Sequence, residues 1–147
     1  MSLFTPLHIS ASALTTQRLK MDVISSNIAN ANSTRAQLVD GEWQPYRRKM
    51  VAVAPGGGSS FSNMLSSAQR ELSGVRVTGI VEDETPFIQQ YNPTHPDANE
   101  LGYVQMPNVD PLKEMVDLMS ATRSYEANVT VLNASKGMLM KTLEIGK

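Results

Sequence analysis

Two histidines, His8 and His95, and no cysteine are all the chain offers in the way of imidazole and thiol chemistry. His8 falls near a helix start and His95 is enclosed in Pro-Thr-His-Pro, with no second histidine at ligand spacing and neither HExxH nor GxSxG anywhere. Gly56–Gly58 lacks the lysine and the following helix of a phosphate-binding loop and reads as a linker. Glu82-Asp83-Glu84 has the oxygen ligands a hard cation prefers. Calcium loops, however, alternate their ligands around a glycine turn, and three adjacent carboxylates at a strand end read as solvated. Arg47-Arg48-Lys49 beside Tyr46 suits an anionic polymer, nucleic acid or cell-wall glycan; a solvated strand edge that discourages aggregation explains the same residues. A wall hydrolase would need paired carboxylates in a glycan cleft, and no persuasive pair is present. The expectation is no enzyme, no cofactor and no metal.

A different chemistry lies in SNIANANSTR, residues 26–35, where Asn27, Asn30 and Asn32 alternate with Ile28, Ala29 and Ala31. Asparagine competes with the helix for backbone groups, so three of them at a helix end need a reason. They either cap the end locally or, each offering donors and an acceptor, fix the register of one helix against a neighbour while the alanines permit close approach.

The elements that carry these residues follow from periodicity. Thr5–Pro6 is a hydroxyl cap followed by a first-turn proline, and Leu7, Leu14, Met21 and Ile28 recur every seven residues, predicting a helix from Pro6 to about Ala29. Asp110–Pro111 repeats the signal. Leu118, Tyr125, Leu132 and Leu139 form a second seven-residue line, flanked by Met115, Thr122, Val129 and Leu143, in a helix expected from Pro111 to about Ile145. Asp110, Glu114 and Asp117 at its start and Lys136, Lys141 and Lys147 toward its end complement the helix dipole; Gly146 reads as a stop and Gly137 as a mid-helix cost of roughly 1 kcal/mol. Between the helices, β-branched and aromatic runs at Trp43–Ala54, Val75–Val81 and Phe87–Tyr91 predict short strands. Residues 55–67 read as a flexible connection with a helical turn near Leu65–Leu72, and 92–102, punctuated by Pro93 and Pro96, as an extended loop.

The expected fold is therefore mainly α with a small β region: an N-terminal helix segment 1–35, a β-rich middle 36–109 and a C-terminal helix segment 110–147. The stripes are buried either as an intramolecular hairpin on the β unit or as a coiled coil shared with neighbouring subunits. With 147 residues, 5% aromatics and 9 methionines, the core is thin and adaptable, which leaves a monomer marginal. A net charge of −1 draws the chain neither to nucleic acid nor to anionic lipid, and no apolar run approaches the roughly 20 residues of a membrane span. The first residues lack a basic leader, so a cleaved secretory signal is not expected.

Both ends carry a specific likeness. SALTTQRLKMDVISSNIANANSTR resembles the N-terminal signature of the bacterial flagellar basal-body rod and hook proteins, built on Ala/Ser-x-Asn-(Ile/Leu)-Ala-Asn, and MPNVDPLKEMVDLMSATRSYEANVTVLNASKGMLMKTLEIGK resembles their C-terminal signature. The short chain, PYRRK after the first helix and GYVQMPNVD before the last are closest to the proximal rod members. Ser33-Thr34-Arg35 stands where hook and distal rod members have Thr-x-Gly-Tyr/Phe.

The resemblance implies a subunit of a helical drive shaft that transmits torque from the membrane ring. Such a subunit passes the flagellar type III export apparatus without a cleaved signal and polymerises beyond the inner membrane, in the periplasmic space or cell-wall zone. Its terminal helices would form a coiled-coil layer around the export channel. The implied partners are copies of itself, other proximal rod proteins, the rod-to-ring adaptor and the membrane ring, with no nucleic acid and no lipid-embedded segment. The implied assembly residues are Asn27, Asn30 and Asn32 bonding to neighbouring backbones, Ile28, Ala29 and Ala31 packing, and Tyr125, Glu126 and Asn128 from the RxYxAN pattern, with the two leucine-rich lines as seams. Another axial rod subunit, or a soluble cytosolic coiled-coil adaptor, meets the same periodicity.

Overall fold

The structure, a computed structural model, describes residues 4–39, 41–56 and 74–145. The connection expected over 55–67 lies outside them beyond Gly56, as do the turn near Leu65–Leu72 and the stop at Gly146. Two helices dominate: α1, Thr5–Ala29, of 25 residues, and α2, Pro111–Ile145, of 35. At 1.5 Å per residue the second is roughly 50 Å long. Both bounds follow the local signals. The Asp110 carboxylate accepts from the N–H groups of Leu112 (3.0 Å) and Lys113 (3.4 Å), satisfying donors that a helix start leaves open. At the end of α1, Asn30 Nδ2 donates to the Ser26 carbonyl at 2.9 Å, and the chain leaves the helix through a Ser33 N–H bond to the Asn30 carbonyl.

The β region is three two-stranded sheets: β1 (Gln37–Val39) with β2 (Glu42–Gln44), β3 (Lys49–Pro55) with β4 (Val75–Glu82), and β5 (Ile88–Tyr91) with β6 (Tyr103–Met106). The first and last are antiparallel, Leu38 opposite Trp43 and Tyr91 opposite Tyr103. β4 and β5 follow the expected runs. The Trp43–Ala54 run is instead two strands, because Pro45 supplies no ladder donor and residues 45–48 leave the ladder, with Tyr46 buried. β1 is so short that only its hairpin partner defines it; Gly41, at φ +88°, makes the turn. Residues 92–102 are not extended. They fold into successive tight turns (His95 N–H to Asn92 O, Ala98 N–H to His95 O, Gly102 N–H to Asn99 O) that return the chain as β6. Gly102, at φ +79° and with the Tyr91 ring 2.9 Å from where a Cβ would sit, closes that hairpin.

The chain divides into two units. One comprises Met1–Met21, Val51–Gly79 and Met119–Lys147. In it, Ser12 Oγ accepts from the Val75 N–H at 3.2 Å while donating to the Ile9 carbonyl at 2.7 Å. Gly74 approaches so closely that a Cβ would collide with that hydroxyl. Thr122 Oγ1 of α2 lies 3.6 Å from Met21 Sδ of α1. Its buried residues, among those described, are all small: Ser10, Thr16, Ala121 and Ser135. The other unit, Asp22–Met50 with Ile80–Leu118, holds a core cluster of Ala31, Tyr46 and Val109, together with buried Val23 and Val104.

Candidate functional site: a buried polar knot and exposed helix faces

In the second unit, the first turn of α2 places Glu114 with none of its surface exposed. Its Oε1 accepts from Arg48 Nε at 2.7 Å and its Oε2 from Asn27 Nδ2 at 2.9 Å. Asn27, 1% exposed, uses its whole amide: Nδ2 also donates to the Lys49 carbonyl (2.9 Å), and Oδ1 accepts from the Tyr46 hydroxyl and the Lys49 N–H, both at 3.0 Å. Arg48 reaches further, with Nη1 3.5 Å from Asp83 and Nη2 3.6 Å from Asp117. Asn108 Oδ1 caps the Arg48 N–H at 2.8 Å while its Nδ2 donates to Thr85 Oγ1, also at 2.8 Å. Every polar group of this knot is paired, the condition under which a buried charge is tolerated.

The electrostatics follow the geometry. Burial acts to lower the Arg48 pKa, but the hydrogen bonds and charges of Glu114 and Asp83 outweigh it and hold the guanidinium above its usual value. Hydrogen bonds from the Thr85 backbone and hydroxyl, with Arg48 adding to them, hold the Asp83 carboxyl below the usual carboxylate range. A second ion pair joins Arg35 to Asp97, whose pKa is lowered by the Arg35 hydrogen bond and then by that of Thr34.

Several sequence expectations change meaning here. Arg48 is no solvated strand-edge charge, since its side chain is 15% exposed and faces carboxylates of the same unit. Arg47 lies over the Phe87 ring at 4.6 Å and Lys49 over Tyr46 at 5.6 Å. Asp83 is likewise engaged rather than solvated. Asn27, expected to bond to neighbouring backbones, has no hydrogen-bonding capacity left beyond this unit. Asn30 acts locally, bonding Ser26 and Ser33. Asn32 and Ala29 are exposed, Ile28 is half-buried and Ala31 is buried.

Leu7, Leu14 and Met21 of α1 are half-buried, while its fully buried line runs through Thr16, Val23 and Asn27. Leu118, Tyr125, Leu132 and Leu139 of α2 are all half-buried, as is Asn128, whose amide donates to the Ser124 carbonyl; Glu126 is exposed beside Arg123. Of the flanking residues, Thr122 and Val129 are half-buried, but Met115 and Leu143 are exposed. Sequence reasoning did not find the joint role of Tyr46, Arg48, Asp83, Asn108 and Glu114. The available signal was a buried-type aromatic beside an arginine, answered by a carboxylate in the first turn of a distant helix.

Comparison with known proteins decides the family. Residues 7–37 match the model for "Flagella basal body rod protein" and residues 100–145 that for "Flagellar basal body rod FlgEFG protein C-terminal". The chain is 61% identical to the flagellar basal-body rod protein FlgC of Bacillus subtilis (strain 168) over 100% of both chains. It is 42% identical to FlgC of Escherichia coli O6:H1, again over 100% of both, and 41% identical to FlgC of Borreliella burgdorferi, covering 99% of this chain and 98% of that one. The chain belongs to the FlgC family of flagellar basal-body rod proteins.

The two family segments coincide with α1 and its exit, and with β6 and α2. In this FlgC-family chain, Asn27 comes from the first segment and Glu114 from the second. Tyr46, Arg48 and Asp83 lie between the two segments: Tyr46 bonds to Asn27, and Arg48 to Glu114 and Asp83. The knot is thus where the connecting sequence fastens the family's two helices within this unit. No helix among the described residues is long and apolar enough to cross a membrane.

Proposed function

We propose that the chain is a structural subunit of the flagellar basal-body rod, in its proximal part, polymerising through its terminal helices. The observation that carries this reading is the mismatch between interior and surface. Six hydrophobic residues are buried among those described, Val23, Ala31, Tyr46, Val104, Val109 and Ala121. Yet α2 exposes Leu112 (74%), Val116 (59%) and Met119 (61%) on adjoining turns, and Val131, Met138 and Ile145 at seven-residue spacing. Covering a large apolar side chain is worth roughly 1.5–3 kcal/mol, so such a helix gains most of its stability from neighbours. Small buried residues in the unit that holds most of α2 leave room for close helix approach.

In this proposal the chain is organised as rod helix 1–35, β-rich middle 36–109 and rod helix 110–147, and the helices line the export channel as a coiled coil. Leu7, Leu14, Met21, Leu118, Tyr125, Leu132 and Leu139 form the seams; Ile28, Ala29, Asn30, Ala31, Asn32, Glu126 and Asn128 meet neighbours; Asn27, its amide fully engaged within the unit, holds the α1 end in shape. The partners are further copies, other proximal rod proteins, the rod-to-ring adaptor, the membrane ring and the type III export apparatus. The subunit works in the basal body beyond the inner membrane, reached without a cleaved signal, and acts mechanically, with no catalysis and no cofactor. Stiffness arises because many repeated heterologous contacts must break together.

The test is complementation of a rod-deficient cell with Met119→Asp and Met138→Asp, both exposed sites where the isolated fold should be unaffected. The expected result is a normal circular dichroism spectrum, no motility and no recovery of the variant with basal bodies. Full motility with both charges in place would reject the helix faces as the assembly surface. A wild-type protein that stays cytosolic would favour the adaptor.

A further inference from the structure

We propose that the cleft between the β1–β2 and β5–β6 hairpins binds a neutral oligosaccharide. The cleft lies wholly within the second unit, is open to solvent and encloses about 410 Å³, a small-ligand size. Trp43 of β2 and Tyr103 of β6 both line it; they are 57% and 42% exposed. In a chain with one tryptophan and four tyrosines, this concentration of exposed rings is selective. Tyr103 is braced edge-on by Tyr91, with centroids 5.3 Å apart. Flat, amphipathic rings held with little rotamer freedom suit a ligand that has C–H faces and hydroxyl edges, as a pyranose has.

The polar lining fits the same ligand. Gln105 makes no side-chain hydrogen bond among the described residues. Asn99 uses only its Oδ1, accepting from the N–H groups of Leu101 (3.1 Å) and Tyr103 (2.9 Å), which leaves its Nδ2 available. The wall is fixed in advance: Thr34 Oγ1 donates to Asp97 at 2.8 Å and Arg35 Nε at 2.6 Å, tying the exit of α1 to the loop before β6. The one lysine or arginine in the lining, Arg35, is neutralised by Asp97, and Glu42 adds a further negative charge, which disfavours a polyanion such as a nucleic acid. The lining holds no Val, Leu, Ile, Met or Phe, unlike the exposed face of α2, so an apolar protein segment finds little to bury here. The proposal does not depend on the rod reading.

Trp43 is the sole tryptophan and reports on its own cleft. The experiment titrates the full-length chain with chitotetraose while following tryptophan emission. The expected result is a saturable shift or quench, weakened about tenfold (about 1.4 kcal/mol) in each of Tyr103→Ala and Gln105→Ala with the circular dichroism unchanged. If Tyr103→Ala does not fold, Gln105→Ala carries the comparison alone, because that side chain is exposed and makes no hydrogen bond among the described residues. An unsaturable or absent response overturns the proposal. So does a change that follows protein concentration without sugar, which would assign the cleft to a second copy of the chain.

Discussion

Removing the cation from the buried knot is the most searching perturbation of this fold. In Arg48→Met, Glu114 keeps its Asn27 hydrogen bond but loses the guanidinium 2.7 Å away, while remaining wholly enclosed. Leaving one member of a buried pair uncompensated costs about 3–5 kcal/mol, a large part of the roughly 5–15 kcal/mol that holds an ordinary domain together. The contacts to Asp83 and Asp117, at 3.5 and 3.6 Å and nearer to solvent, add little. The double variant Arg48→Met, Glu114→Leu removes both charges and should lose no more than about 2 kcal/mol, since an apolar pair of similar size can replace a buried ion pair at small cost. Hydrogen exchange read on segments 22–50 and 80–118 is the assay, because the Lys49 N–H is held by Asn27 and opens only when the knot opens. The single variant should exchange about two to three and a half orders of magnitude faster than wild type, and the double variant should regain most of that protection. Equal, additive losses in the single and double variants would refute the idea that the two residues act as one unit.

Four further outcomes follow from the geometry. Asn27→Asp places a carboxylate oxygen where Nδ2 now faces Glu114 at 2.9 Å, so its melting temperature should fall below that of Asn27→Ser; equal values would remove Asn27 from the centre of the knot. Asp83 and Asp97 have depressed pKa values, so the folded state binds fewer protons than the unfolded chain. Their stabilisation is complete above the ordinary carboxylate pKa of about 3.9 and is lost as pH falls through their lower folded values; Asp97→Asn should flatten this acid limb in a denaturation series. Asp110→Ala removes the acceptor for two N–H groups of α2 and should cost about 1 kcal/mol by urea unfolding. Gly137→Ala should stabilise the isolated chain by about 0.5–1 kcal/mol, since beyond the adjoining residues and the backbone of its own helix nothing lies within 4 Å of the added methyl; loss of motility in that stabilised variant would locate a neighbour's close approach there.

Local chemistry wrote the helices into the sequence. Asp110–Pro111 sets where α2 begins, Pro6 falls in the first turn of α1, and the asparagine turn after Ala29 sets where α1 ends, because caps and prolines act within a turn of their own position. The β-branched run that became β4 was equally legible, and the paired terminal motifs named the family. The β1–β2 hairpin was harder to read, because three-residue strands carry too few side chains to show an alternation. β6 and the folded 92–102 turns exist because each strand supplies the other's hydrogen bonds, and pairing partners are not encoded in either run alone.

The knot was least accessible of all. Glu114 looked like a dipole-complementing surface acid, and Arg48 like part of a solvated basic run. Arg48 stands 66 residues from Glu114 and Asn27 stands 87 from it, so only the tertiary structure could bring three polar side chains together and bury them. Composition and periodicity fixed how much apolar surface each helix carries. Whether a given polar group meets water or a partner depends on long-range contact, and there desolvation reverses the meaning of the same residue.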